Sequence, residues 1–281
     1  MFLTLVALLL GACAVARSPE VVRVALLAPF EGRYREVGYN SLYAARAAVE
    51  DSASLQIDLL PVDDGGSPDS ARDRATALAL DPLVVAVVAL GYHATTPEVQ
   101  TAFGMLPVLV VGHWDAAPQT ERVFILAAEN LSERLTTPPR IDVTDAARLE
   151  APLTGGDVLA LEQFPGLRDR LDGITVVSSA SLPDAAFAGR YGRGELFAPE
   201  PGLLASLTYD ATRMAVDAAL ASLDREDRRA AVTNTIRTGT YEGLNGSIAF
   251  ENGYWRDAPV NVYRYDENGR LVAVQNLIEQ R

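Results

Sequence analysis

The chain has 281 residues, of which 49% are hydrophobic, and its formal net charge is -13. All 24 basic residues are arginine, so Schiff-base and Walker-type lysine chemistry is excluded. Nucleic acids and anionic membranes are bound through clustered positive charge, and a chain this acidic argues against both partners. Its length is sufficient for one large core or two modest ones.

The N-terminus has the pattern of an export signal. Residues 2–10 form an apolar run of signal-peptide length, too short to cross a bilayer as a helix. The following Leu10-Gly11-Ala12-Cys13 resembles a bacterial lipobox, which predicts a lipoprotein signal peptide over residues 1–13 with lipidation at Cys13. The alternative is a buried apolar start with a chance cysteine. No basic residue precedes the run, although a secretory n-region is normally positive, which suggests a true start further upstream. Cys13 is the only cysteine, so no internal disulfide forms.

Strand and helix patterns alternate in the residues that follow. The apolar run Val24–Ala28 is typical of a strand buried on both faces, and 42–49 have apolar residues at helical spacing. Further strands are predicted over 55–62, 83–90 and 106–111, with helices over 71–80 and 97–104. Four such strand-helix steps predict the α/β class with a doubly wound parallel sheet. Ligands of such sheets bind beyond the carboxyl ends of the strands.

The pattern weakens after Val123. Residues 123–127 and 173–177 predict strands, whereas 129–149 are polar and have no strong period. Amphipathic helices are predicted over 203–223 and 227–238. Asn-Gly pairs at 252–253 and 268–269 predict two hairpin turns near the C-terminus.

The two histidines are the main candidates for a site. His93 and His113 follow the carboxyl ends of consecutive predicted strands, so both are expected to face one crevice and to contact a ligand; ordinary surface histidines are the alternative. Trp114 is either a plug of the core or an aromatic wall for a ligand. A metal site or a metal-assisted hydrolase based on His93, His113 and Asp115 would need further ligands and is disfavoured.

Other motifs give weaker signals. Asp63 and Asp64 could act as an acid-base pair, but their place before Gly-Gly-Ser-Pro favours a turn and helix cap. Tyr209 opens a predicted helix, where packing is the ordinary role. The chain contains no dinucleotide fingerprint, P-loop or nucleophile elbow, so neither a nucleotide cofactor nor any other cofactor is expected.

Several segments in order resemble the type I extracytoplasmic solute-binding proteins, the leucine-binding-protein-like family that feeds branched-chain amino acid ABC transporters. The matching segments are VALLAPFEGRYREVGYNSLYAARAAVED, LLPVDDGGSPDSA, DPLVVAVVALGYHATT, LPVLVVGHWD, APLTGGDVL, LTYDATRMAVDAAL and YEGLNGSIAFENGYWRDAPVNVYRYDENG. The resemblance implies the type I periplasmic-binding-protein fold, with two lobes that close on a ligand. It assigns 21–122 to the first part of lobe 1, 203–250 to its return, and 251–281 to the hinge and a C-terminal hairpin. Residues 123–202 would be a reduced lobe 2, because the βα units that the family has between Val123 and Thr154 are mostly missing.

The resemblance also implies a function and a set of contacts. The implied function is that of a non-catalytic lipoprotein that delivers an amino acid or related ligand to an ABC permease. Such a protein would be extracytoplasmic, in the periplasm or at the cell surface. It would contact the membrane only through its lipid anchor. Bulky aromatic residues replace the small hydroxyl residues of the family's site, which favours a larger, flatter or anionic ligand. The alternative is a sensory or partner-binding surface lipoprotein with a degenerate site. The implied ligand contacts are Glu31, Tyr92, His93, Thr96, His113, Trp114, Thr154, Gly155, Asp157 and Tyr209.

Overall fold

The protein, described by a computed structural model over residues 21–193 and 195–274, forms two sheets flanked by helices. The predicted signal peptide and Cys13 lie outside these residues. The larger sheet has the strand order β10-β11-β5-β4-β3-β1-β2, and a second sheet has the order β13-β12-β7-β6. The strands of the two main sheets are β1 (Val22–Ala28), β2 (Ile57–Asp63), β3 (Val84–Ala89), β4 (Val108–Val111), β5 (Val123–Leu126), β6 (Leu153–Gly155), β7 (Ile174–Ser178), β10 (Phe250–Glu251), β11 (Tyr254–Trp255), β12 (Asn261–Tyr265) and β13 (Leu271–Ala273), with a separate hairpin of β8 (Tyr241–Gly243) and β9 (Gly246–Ile248).

The centre of the larger sheet is parallel and fully buried. Every residue of β3, β4 and β5 is buried, and β1 is buried except at Arg23. The continuous apolar runs therefore form central strands, as the sequence predicted, because both faces of the sheet are covered. Burying each valine or leucine contributes roughly 1.5–3 kcal/mol. This rigid sheet fixes the loops that follow β1, β3 and β4.

Eight α-helices occur in the described residues. The helix α1 packs against the long helix α7, and Ser67 and Thr96 cap the helices that follow them, α2 and α3, through their hydroxyl groups. The helices are α1 (Arg35–Glu50), α2 (Pro68–Leu80), α3 (Pro97–Ala102), α4 (Val143–Ala146), α5 (Gln163–Gly166), α6 (Ala185–Tyr191), α7 (Leu203–Leu220) and α8 (Arg228–Thr238). None of them is long and apolar enough to span a membrane.

The fourth strand-helix step differs from the prediction. No helix follows β4; a loop over 112–122 leads directly to β5, which pairs with β4 in parallel. Gly112 has a φ of +83° and Asp115 has a φ of +54°, and both values are outside the helical region. Pro118 further restricts the loop.

The second sheet is small. Strands β6 and β7 are parallel, and β12 and β13 extend the sheet as an antiparallel hairpin. The predicted turns at 252–253 and 268–269 are confirmed, since each joins two antiparallel strands. Residues 129–149 contain only a 3-10 turn and the single-turn helix α4. We call the larger sheet with its helices the first lobe, and the smaller sheet with its loops the second lobe.

Candidate functional site

The loops after β3 and β4 bring two aromatic residues together at the boundary between the lobes. The phenol ring of Tyr92 meets the indole ring of Trp114 edge to face, with centroids 5.2 Å apart. Trp114 is 2% exposed and its Nε1 donates to the backbone oxygen of Val111. Tyr92 is 9% exposed, and the guanidinium of Arg140 lies over its ring. Both rings therefore fill space at the carboxyl end of the sheet.

Asp157 of the second lobe closes the boundary from the other side. It is 1% exposed and accepts hydrogen bonds from the backbone N–H of His113 and from the Ser178 hydroxyl. Burial raises the pKa of Asp157, whereas its hydrogen bonds to His113 and Ser178 act in the opposite direction. Gly112 leaves the necessary room, since a Cβ there would lie 2.9 Å from Asp157 Oδ2. Both carboxylate oxygens of Asp157 thus accept hydrogen bonds from groups of the protein itself.

The loop after β1 binds the second lobe through polar contacts. Arg33 Nη1 donates to Asp142 Oδ1 over 2.6 Å, and the Tyr34 hydroxyl donates to Asp142 Oδ2 over 3.1 Å. The carboxylate of Glu36 accepts hydrogen bonds from the backbone N–H groups of Glu162 and Gln163. None of these residues is among the contacts predicted from the sequence. The only local signal was the Asp-x-Thr pattern at Asp142, which caps α4.

Little space remains between the lobes. A cavity of about 30 Å³ is lined by residues that include Glu36, Asp157 and Leu204. A cavity of that size has room for two or three water molecules, at about 10–15 Å³ each, and is too small for a drug-sized ligand. In this conformation the protein's own side chains occupy the boundary.

His93 and Asp64 form a separate pair near the ends of β3 and β2. The Nδ1 of His93 and the Oδ2 of Asp64 are both buried without a hydrogen-bond partner in the described residues. Burial raises the pKa of Asp64, opposed by the N–H of Gly66 and by His93. Asp63 and Asp64 both accept backbone N–H groups within their turn, as predicted, but the cap of α2 is Ser67.

The remaining predicted contacts have local partners. Thr96 caps α3, and the backbone N–H of Thr154 donates to Thr136. A Cβ at Gly155 would overlap Leu159. Tyr209 donates to Asp51 over 2.8 Å and packs with Phe187 in a cluster separate from Trp114. Glu31 is exposed.

A second space lies beside the ends of β4 and β5. It has a volume of about 170 Å³, and we call it the β4–β5 cavity. No strand of the second sheet lines it. Its polar and aromatic lining consists of His113, Trp114, Asp115, Glu129, Ser132 and Tyr254.

The charge of this cavity is negative. Burial lowers the pKa of His113 although Asp157 and Asp115 act to raise it, so the imidazole is neutral at pH 7. Its Nε2 lies 2.7 Å from the Ser132 hydroxyl. The carboxylates of Asp115 and Glu129 are exposed at the rim. Within the described residues no group of three or more histidine, cysteine or acidic side chains could hold a metal ion.

No family model and no curated protein matches the chain. Solved structures do match its fold. The branched-chain amino acid transporter substrate-binding protein LivJ from Streptococcus pneumoniae, in complex with isoleucine, is 16% identical with a TM-score of 0.66, and the match covers 90% of this chain and 100% of LivJ. The leucine-binding protein LivK from Thermotoga maritima is 16% identical with a TM-score of 0.67, covering 90% and 97%. A solute-binding protein of an R. palustris ABC transporter, in complex with benzoate, is 14% identical with a TM-score of 0.68, covering 90% and 95%.

These comparisons confirm the predicted fold class. The chain has the type I periplasmic binding protein fold, with a parallel-dominated first lobe and a smaller second sheet. Of the three, two are substrate- or solute-binding proteins of transporters and the third is a leucine-binding protein. At 14–16% identity the likeness establishes the fold, while ligand and role depend on this chain's own residues.

Proposed function

We propose that this chain is a non-catalytic extracytoplasmic lipoprotein of the solute-binding fold that acts as a sensory or partner-binding surface protein, with the cleft between its lobes filled by its own side chains. The observation that carries the proposal is the cleft itself. Tyr92 and Trp114 occupy the first-lobe side, Asp157 is hydrogen-bonded within the protein, and the cavity between Glu36, Asp157 and Leu204 has only about 30 Å³. A ligand of amino-acid size would have to displace these contacts.

The contacts across the boundary also hold the two lobes together. Arg33, Tyr34 and Glu36 from one lobe bind Asp142 and the N–H groups at 162 and 163 from the other. A transport receptor gains from a closed state that depends on its ligand, because the ligand can shift the equilibrium only by its differential affinity. A closed state formed by the chain alone suits a protein that presents a fixed surface.

A second candidate is delivery of a small solute to an ABC permease. It is supported by the fold, which is shared with transporter proteins that bind isoleucine and benzoate. In this case the lobes open, and Tyr92, His93, Thr96, His113 and Trp114 of the first lobe contact the solute with Glu31, Thr154, Gly155 and Asp157 nearby. Tyr209 lies apart from them, in the cluster with Phe187.

A thermal-shift screen separates the two candidates. The purified protein is heated with amino acids, short peptides, aromatic carboxylates and nucleobases, since a ligand at a hundred times its dissociation constant adds about 2.7 kcal/mol of stability. A cooperative melt that no compound shifts supports the self-filled cleft. The other outcome is that one chemical class raises the melting temperature, and that this rise is abolished in Asp157→Asn but kept in the exposed control Glu267→Gln. That result supports solute delivery and contradicts the first proposal.

Membrane attachment is tested separately. We propose that Cys13 is lipidated, so the wild-type protein should partition into detergent and carry the mass of a diacylglyceryl group. The Cys13→Ala variant should remain in the aqueous phase. Equal partitioning of both proteins would contradict the anchor and leave the cleft proposal intact.

A further inference from the structure

The β4–β5 cavity offers a second binding site beside the cleft, with which it shares His113 and Trp114. Its walls come from the loop after β4, from the residues after β5 and from Tyr254 of β11. Its volume of about 170 Å³ exceeds the space between the lobes several-fold. It is below the ~300–1,000 Å³ of drug-sized pockets, so its occupant must be compact.

Two uncompensated carboxylates define the electrostatics of the cavity. Asp115 and Glu129 are exposed at its rim, and neither forms an ion pair with any described residue. No arginine is among the described residues that line the cavity, and the His113 imidazole contributes no positive charge because burial lowers its pKa. An anion or a zwitterion would find no cation for its carboxylate here. A cation would be attracted by both acidic groups.

The ring of Tyr254 supplies the rest of the recognition surface, since Tyr254 is half-buried. The Trp114 indole is 2% exposed and bonded to Val111, so it supports the wall of the cavity and offers almost no surface of its own. The pKa of Tyr254 is raised by burial and then by the nearby Glu129 carboxylate, which places the phenol beside that charge. Organic cations are stabilised over indole and phenol faces, particularly where carboxylates surround them.

We propose that the β4–β5 cavity binds a compact organic ammonium ion, held by the Asp115 and Glu129 carboxylates and contacting the Tyr254 ring. A bare metal ion is a poorer occupant, since no group of three or more suitable ligands exists in the described residues. The site would give the surface protein a chemical signal to sense while its cleft stays filled.

The test uses the full chain, purified in a nonionic detergent at low salt. Binding of choline and tetramethylammonium is measured by isothermal titration calorimetry beside tert-butylethanol, the neutral isostere of choline. We expect heat from the two cations and none from the neutral compound. Added salt should weaken the binding, because the carboxylates are exposed.

Charge-removing variants locate the site. Asp115→Asn and Glu129→Gln should each weaken choline binding about tenfold, because a carboxylate contacts the cation more strongly than an amide does. Asparagine tolerates the φ of +54° at position 115, so the first variant removes charge without backbone strain. The control Glu267→Gln, in the exposed turn between β12 and β13, should bind as the wild type does.

Three results would overturn the proposal. They are the absence of heat from both cations, equal binding of tert-butylethanol, and unchanged choline binding in Asp115→Asn and Glu129→Gln variants that melt like the wild type. The proposal goes beyond the function of the cleft, and the two can fail separately. A compound that responds to Asp157→Asn but not to Glu129→Gln would report on the cleft alone.

Discussion

The ring of Tyr92 stands at 84° to the indole of Trp114, and the two centroids are 5.2 Å apart. This edge-to-face pair joins the loop after β3 to the loop after β4. Such pairs add about 0.5–1.5 kcal/mol beyond the burial of their area. The hydroxyl of Tyr92 contributes less, since its contacts with Pro139 and Ile141 are both 3.4 Å long.

Truncating Tyr92 should therefore be far more costly than removing its hydroxyl. Tyr92→Ala should lower the free energy of unfolding by about 3–5 kcal/mol, as for other buried aromatic residues, whereas Tyr92→Phe should cost about 1 kcal/mol or less. Urea unfolding of both variants measures the difference. Similar losses in the two would mean that the hydroxyl, and not the ring, stabilises the boundary.

Asp142 should make the contact between the lobes sensitive to acid. Partial burial acts to raise its pKa, but hydrogen bonds from Thr144, Arg33 and Tyr34 outweigh burial and lower it to about 2. A depressed pKa contributes stability that is present above the unfolded value near ~4 and is lost as the pH falls through about 2. Because the Arg33 side chain is 51% exposed, solvent screening limits this contribution to about 1 kcal/mol at neutral pH.

The matched variants are Asp142→Asn and Asp145→Asn, both within one turn of α4. Unfolding is followed from pH 7 down to pH 2. The first variant should be less stable at pH 7 and should lose less stability on acidification. Asp145 is exposed and pairs only with Arg148 on the surface, so its variant should follow the wild-type curve. If stability depended on pH identically in the wild type and both variants, the Asp142 carboxylate would not stabilise the contact between the lobes.

The effect of Asp64 on stability should depend on pH in the opposite direction to that of Asp142. Burial raises its pKa, and its Oδ2 has no partner in the described residues. A raised carboxyl pKa means that stability is lost as the pH rises from the unfolded value through the folded one. Asp64→Asn removes that loss while its amide oxygen can still accept the N–H of Gly66. The variant should therefore equal or exceed the wild type in stability at pH 7.

The neighbouring Asp63 provides the control for this prediction. Its carboxylate accepts N–H groups from Phe30 and Gly65 through different oxygens. In Asp63→Asn one oxygen is replaced by a donor, so unfolding should become easier by about 1–3 kcal/mol. Chemical denaturation at pH 4 and pH 7 compares the stability of Asp63→Asn with that of Asp64→Asn. Destabilisation of Asp64→Asn at pH 7 would show that its charge is compensated in the folded protein.

Replacing Gly112 and Gly189 by alanine should change the stability of the protein in opposite directions. At Gly112 the φ is +83°, and a Cβ would lie 2.9 Å from both Asp157 Oδ2 and Leu204 Cδ2. Gly189 lies in α6 and is exposed, and a Cβ added there would have no neighbour within 4 Å. We expect Gly112→Ala to destabilise by about 1–3 kcal/mol and Gly189→Ala to stabilise by about 0.5–1 kcal/mol. Thermal melts measure both, and a neutral Gly112→Ala would show that the loop can move away from Asp157.

Local sequence patterns predicted the first lobe well. Continuous apolar runs identify β1, β3 and β4 because these strands are buried on both faces. The Asn-Gly pairs at 252–253 and 268–269 identified both hairpins because such turns need a positive φ, and the values are +52° and +82° at the first. Pro68 and Pro97 each occupy the first position of a helix, where proline is favoured.

Contacts between the lobes could not be read from local patterns. Arg33 and Asp142 are 109 positions apart, and Asp157 meets the backbone of His113 across 44 positions. Either partner alone is an ordinary polar residue. The loop after β4 was predicted to lead to a helix, and the positive φ values at Gly112 and Asp115 give no periodic signal in the sequence.

One edge of the larger sheet is formed by strands that come late in the sequence. Residues 250–255 form β10 and β11 beside β5, and the next strands, β12 and β13, complete the other sheet against β7. Neither sheet is complete until nearly all of the chain has been synthesised. A copy that stopped before residue 250 would leave β5 and β7 each with an open edge, and such edges pair readily with other chains. Premature termination should therefore yield aggregates rather than a functional single lobe.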